Sequence, residues 1–105
     1  MTIDLSNYLK DKRLILSGEE SGSSIRQMLD LDSIDKTNKS VIIKIPDNIF
    51  CMTTSFFIGL FGPSVIKLGK YRFNYKYKFV CNEMIYNTIK DGINRLLNKN
   101  ILGGI

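Results

Sequence analysis

The stretch whose reading decides the fold is Ile49–Gly62, IFCMTTSFFIGLFG. Three consecutive hydroxyls, Thr53, Thr54 and Ser55, interrupt the most apolar run of the chain. Ser and Thr are favoured at helix N-caps, where the side-chain oxygen accepts from an otherwise unpaired backbone amide. Behind the triplet, Phe57, Leu60, Phe61, Val65 and Leu68 recur at the spacing of one helix face. The triplet therefore marks a helix start. Pro63 has no amide proton and its ring crowds the carbonyl of Gly59, so a kink or break is expected at Gly62-Pro63. Capping contributes about 1 kcal/mol and accounts for one hydroxyl, not three. The others are open to an interface role or to phosphorylation, because a helix start welcomes an added phosphate.

Upstream of this stretch, Ser40–Ile45, SVIIKI, is β-branched and nearly continuous. It reads as a strand buried on both faces, with Lys44 the exception, ended by Pro46-Asp47-Asn48. Ser17–Ser24 supplies helix-start chemistry: Ser17 and Glu20 have capping-box spacing, and a start at Ser21 fits as well. The helix behind it is expected to turn Ile25, Met28 and Leu29 inward and Arg26 and Gln27 outward. This Gly/Ser segment lacks the Gly-Lys-Ser/Thr ending of a phosphate loop, and its two glutamates would repel an anion. A capped helix start is the plainer reading. Thr2–Leu5 reads as a short first strand followed by a polar connector through Arg13. Asp30–Lys39 reads as a loop with at most one helical turn.

Downstream, Tyr71–Phe79, YRFNYKYKF, alternates aromatic and polar residues without exception. Period 2 predicts a strand with an aromatic face and a basic one. Lys67, Lys70, Arg72, Lys76 and Lys78 crowd this segment, which is the best case for nucleic-acid contacts. On a strand, however, the aromatics and the bases project to opposite faces, whereas a base-stacking platform needs them together. Asn82 reads as the cap of a last helix, Glu83–Leu97, with Ile85, Ile89, Ile93 and Leu96 inward and residues 98–105 a flexible tail.

The totals exclude several chemistries. The chain has 105 residues, enough for one domain with a modest core, and a formal charge of +5. There is no histidine. Ser-His-Asp and Cys-His nucleophilic catalysis are thereby ruled out, and the commonest transition-metal ligand is missing. Two isolated cysteines, Cys51 and Cys81, do not build a zinc site, and no cofactor is implied. Both end apolar segments, where buried free cysteine is common; a redox pair would need those ends to be neighbours. No secretory signal is visible and the apolar stretch is too short and polar for a membrane span, so a cytoplasmic protein with free thiols is expected.

Several short motifs together resemble the STAS-like domain family. Gly22-Ser23-Ser24-Ile25-Arg26 is similar to the Gly-x-x-Ile/Leu-Arg of that family's first helix. SVIIKI, then Thr53–Phe56 (TTSF) and Leu60-Phe61-Gly62, resemble its central strand, Ser-Ser-Ser-Phe and Leu-Phe-Gly. Arg72-Phe73, Lys78-Phe79-Val80 and Asn82 fit its next strand and helix start. The likeness spans roughly Leu14 to Leu97. It implies kinship with the STAS domains of anti-sigma-factor antagonists, which bind a kinase-like regulator and are switched by serine phosphorylation at the start of the helix after a central strand. The matching position is Ser55, with Thr54 beside it, and the resemblance is also what singles out Arg26. Two departures stand out: Thr53 replaces the antagonists' aspartate, and Lys44 replaces an aspartate usual in the family's central strand.

The expected architecture is thus a small STAS-like α/β domain over residues 1–105, a mixed four-stranded sheet with helices largely on one face. The expected function is non-catalytic: a cytoplasmic, bacterial-type regulatory module that binds a protein partner, a kinase-like ATPase or anti-sigma-type regulator, through Thr53, Thr54, Ser55 and Phe56. Nucleic-acid binding through Lys67, Lys70, Arg72, Lys76 and Lys78 is the alternative. A small phage-type inhibitor that blocks a host complex sterically fits the size and has no residue signature of its own.

Overall fold

A computed structural model describes residues 1–9 and 15–103 of the chain and, over 99–103, the backbone alone. Strand β1 (Thr2–Asp4) runs into a single 3-10 turn, Leu5–Tyr8. Strand β2 (Ile15–Leu16), helix α1 (Glu19–Leu29) and the short α2 (Leu31–Asp35) follow. Then come β3 (Val41–Lys44), β4 (Cys51–Met52), α3 (Thr54–Lys76), β5 (Tyr77–Val80) and α4 (Glu83–Gly103). Residues 10–13 of the expected connector lie outside the described residues. Helix α4 continues to Gly103, past the end expected at Leu97.

The chain is a compact, mostly helical α/β fold, but its strands do not form one mixed four-stranded sheet. Strands β1, β3 and β5 form a parallel sheet in that spatial order, in the register Ile3↔Ile43 and Ile43↔Phe79. Strands β2 and β4 pair separately, also parallel, through Ile15↔Cys51 and Leu16↔Met52. Parallel neighbours need long crossovers, and helices supply them: α1 and α2 lie between β1 and β3, and α3 lies between β3 and β5. The small β2–β4 pair has its own consequence. Strand β2 leads into α1 and β4 leads into α3, so their pairing sets the two helix starts side by side, with the Thr53 amide donating to the Leu16 carbonyl at 2.8 Å.

Burial alternates along the main sheet. Val41, Ile43 and Tyr77 are buried, whereas Ile42, Lys44, Lys78 and Val80 are exposed. Strand β3 is therefore covered on one face only, not on both as its apolar run suggested. Onto that face pack Phe57, Phe61 and Phe73 of α3, with Tyr77 and Phe79, at ring-centroid separations such as 5.1 Å for Phe61–Tyr77 and 5.3 Å for Phe61–Phe79. Phe57, Leu60, Phe61, Val65 and Leu68 are all buried, as the helical spacing predicted.

Helix α3 does not break at Gly62-Pro63. It passes through Pro63 and loses helical geometry at Gly69 (φ 80°, ψ 166°), a backbone state that only glycine adopts freely. Two features relieve the proline. The Gly59 carbonyl, which Pro63 cannot satisfy, accepts the Ser23 hydroxyl of α1 at 3.4 Å. In addition, α1 and α3 touch backbone to backbone: a Cβ on Gly22 would lie 2.2 Å from the Phe56 carbonyl oxygen, and one on Gly59 would lie 1.9 Å from that of Glu19. The neighbouring helix thus holds the proline turn in place.

The aromatic alternation of Tyr71–Phe79 is not a nine-residue strand. Residues 71–76 close α3 as helix, and extended structure begins at Tyr77. Aromatics at every second position also stand four apart, so Phe73 and Tyr77 share the inward side and Tyr71 and Tyr75 the outward one. Lys76 fastens the junction, its ammonium donating to the Thr37 and Lys39 carbonyls at 2.6 and 2.9 Å. At the other end of the fold, Gly18 (φ 90°), not Ser17 or Ser21, precedes α1, so the capping box is not formed. Met28 is exposed and Arg26 buried, reversing two expectations for α1.

Candidate functional site

The three hydroxyls of the opening stretch have separate fates. Thr53 is the N-cap of α3, its Oγ1 accepting from the Phe56 amide at 3.2 Å. Thr54 reaches across to α4, donating to Asp91 Oδ2 at 3.3 Å, and the same oxygen receives Arg95 Nε at 3.0 Å. Ser55, the second residue of α3, is exposed and forms no side-chain hydrogen bond among the described residues. Phe56, placed with the triplet on sequence grounds, is fully buried and belongs to the core. Before the triplet stand two exposed apolar side chains of the β2–β4 corner: Phe50, 63% exposed, and Ile15, whose register partner is Cys51. Phe50 carries no sequence signal that sets it apart from Ile49 and Met52 in the same apolar run, which are buried.

Arg26 does not join this surface. Only 7% exposed, it lies between α1, α2 and the middle of α3. Its Nη1 donates to the Leu60 carbonyl at 3.0 Å and to Ser64 Oγ at 2.8 Å; its Nη2 donates to Asp32 at 2.8 Å and Asp35 at 3.0 Å. The Asp35 carboxylate, wholly buried, also accepts the Ser64 hydroxyl at 2.6 Å and the Tyr77 hydroxyl at 2.5 Å. Asp30, in the left-handed conformation (φ 53°, ψ 51°), turns α1 into α2 and so aims Asp32 and Asp35 back at the arginine. Burial, aided by the bond to Asp35, pushes the Tyr77 phenol well above its ordinary range and keeps it protonated. The Arg26 hydrogen bond holds the exposed Asp32 carboxyl below the usual carboxylate value. Among the described residues, no buried side-chain polar atom lacks a partner. The buried members of this network are all engaged within the fold, and Asp32 alone of its carboxylates faces water. The three-residue spacing of Asp32 and Asp35 was its one legible trace, and Ser64 and Tyr77 gave none.

The basic segment is divided. Lys67, Lys70, Arg72 and Lys78 are exposed, while Lys76 is buried with its ammonium bound to carbonyls and presents no charge to a ligand. Tyr71 and Tyr75 are 86% and 78% exposed. Because this segment is helical, aromatics and cations share the surface, and Lys78 Nζ stands 5.8 Å from the Tyr75 ring centre. The opposite-face geometry expected of a strand does not occur over residues 71–76.

Cys51 and Cys81 are free, half-buried thiols at the ends of strands that belong to different sheets. Burial raises the Cys81 thiol pKa, which disfavours the reactive thiolate. Among the described residues, no three Cys, Asp or Glu side chains gather as metal ligands, and no helix is long and apolar enough to cross a membrane. Comparison with family models, with curated proteins and with solved structures found no match to this chain.

Proposed function

We propose that this chain is a non-catalytic regulatory module that binds a protein partner at the start of α3, around Ser55. One observation carries the reading. Of three adjacent hydroxyls, two are engaged within the fold, by Phe56 and Asp91, while the third has no side-chain hydrogen bond among the described residues and stands in the first turn of α3. Phe50 and Ile15, at the start of the strand pair that leads into α1 and α3, offer exposed apolar area that a protein contact would cover. Unpaired amides at the helix start would hold an added phosphate, so Ser55 is also the position at which modification would switch binding. Thr53 is occupied as a cap, and its hydroxyl supplies no negative charge where the antagonists' aspartate would.

The STAS resemblance implies a kinase-like ATPase or anti-sigma-type regulator as the partner class, and the part of the fold singled out here is the part that resemblance points to. The test is a pair of variants, Ser55→Ala and Ser55→Asp, compared for partner binding at equal folded concentration. Loss of binding in Ser55→Asp alone supports a phosphoswitch. Binding unchanged in both removes it.

A further inference from the structure

A cleft of about 380 Å³ lies between the last turns of α3, strand β5 and helix α4. Its polar wall is Lys70, Asn74, Lys78, Tyr86, Lys90 and Asn94; Ile89 and Ile93 form its floor. Among the described residues that line it, all the charges are positive. Helix α4 sorts its own charges to the same end. Tyr86, Lys90 and Asn94, four apart, face the cleft, while Asp91 turns away to Thr54 and Arg95. Lys90 Nζ stands 5.1 Å from the Tyr86 ring centre and forms no hydrogen bond or ion pair with another described residue. Three lysines and, among the described residues, no carboxylate line this cleft, so its potential is positive and favours a bound anion.

A second observation points to the chemistry of that anion. Tyr71 and Tyr75, one helical turn apart on the same segment, hold large aromatic surfaces in water and contribute nothing to the core. They line a neighbouring cleft of about 570 Å³ with Arg72 and Lys39. Lys78, 5.8 Å from the Tyr75 ring centre, joins the two clefts. Flat π-faces beside a path of cations are what unpaired, phosphodiester-linked bases require, because stacking is sequence-tolerant and the cations follow the backbone. A duplex keeps its bases stacked on one another and would leave the tyrosines unused.

We infer that the cleft of Lys70, Lys78 and Lys90, together with Tyr71 and Tyr75, binds single-stranded nucleic acid. This inference does not rest on the Ser55 reading. The test uses fluorescence anisotropy of a labelled single-stranded 12-mer on the whole chain across salt concentrations. Three phosphates neutralised on a single strand give a slope of log affinity against log salt of about −2. Replacing Lys70, Lys78 and Lys90 together by glutamine is expected to weaken binding at least about tenfold at low salt and to flatten the slope. Tyr71→Ala with Tyr75→Ala is expected to weaken binding about tenfold or more with the slope retained. All five side chains line open clefts, so thermal melting of these variants should match the parent, and Lys70→Arg with Lys78→Arg and Lys90→Arg should keep binding. Affinity untouched by the glutamine variant, or no binding at low salt, overturns the assignment. So does a duplex or a nucleoside monophosphate that binds as tightly as the 12-mer.

Discussion

Two kinds of polar site in this molecule behave in opposite ways. Around Arg26, Asp35, Ser64 and Tyr77, buried donors and acceptors are matched and the carboxylate is sealed from solvent. Ser55, and again Lys70, Lys78 and Lys90, face water with no side-chain hydrogen bond among the described residues. The first arrangement locks α1, α2, α3 and β5 into one geometry. The second leaves groups available to something outside the chain. Polar character alone therefore does not mark function here; what matters is whether the fold has already engaged it.

The sharpest way to break the comparison is Asp35→Ala. Removing the acceptor leaves the Arg26 charge buried with only the exposed Asp32 as an ionic partner and strips the Tyr77 and Ser64 hydroxyls of theirs. We expect a loss of about 3–5 kcal/mol in urea unfolding, since breaking one side of a buried pair leaves the other uncompensated. Adding Arg26→Met should recover part of that loss, and failure to recover any would mean the network is not a unit.

Next comes the helix contact that holds the network's walls together. Gly59→Ala places a methyl group 1.9 Å from the Glu19 carbonyl oxygen, and the two backbones must move apart. A destabilisation of about 1–3 kcal/mol is expected, with the mid-α3 turn at Pro63 loosened; amide exchange across residues 59–64 is the measurement.

Tyr77 gives a pH signature. Its pKa is raised in the folded chain, so its stabilisation is complete below the ordinary tyrosine value, near 10, and is lost as pH rises toward the folded value. Above pH 10 the unfolded chain sheds this proton while the folded chain retains it. Stability should fall by about 1.4 kcal/mol per pH unit from this group. Tyr77→Phe should be less stable at neutral pH but should lack that share of the slope.

Smallest are the effects within the hydroxyl triplet. Thr53→Ala should cost about 1 kcal/mol as a lost cap, and Ser55→Ala within about 0.5 kcal/mol of nothing, both read from chemical denaturation. Equal losses at the two positions would mean that Ser55 is structural after all.

How much of this was legible from the sequence depends on whether one local signal stood alone. The α3 face from Phe57 to Leu68 had no competitor and folded as its spacing predicted. The Thr53–Ser55 helix start was equally clear. Tyr71–Phe79 carried two compatible periods at once, and propensity could not decide between them: Gly69 restarts a helical segment and Lys76 ties it to the Thr37–Lys39 loop, a contact between residues far apart in the chain. Pro63 misled for the same kind of reason, because Ser23 on another helix supplies what the proline removes. Arg26 reads as an outward-facing helix residue because its acceptors come from two other elements, α2 and α3. Pairing β2 with β4 outside the main sheet involves only two residues on each strand, too few to carry a pattern.

The central claim is that the free surface at the start of α3 is where the chain meets its partner. Its most direct test is quantitative affinity capture from the native cell with four tagged forms: the parent, Ser55→Asp, Phe50→Asp, and the Lys70, Lys78 and Lys90 glutamine variant as a control at the lysine cleft. The account expects a protein held by the parent and by the lysine variant to be lost with Ser55→Asp and Phe50→Asp. The same protein held equally by all four forms would contradict it.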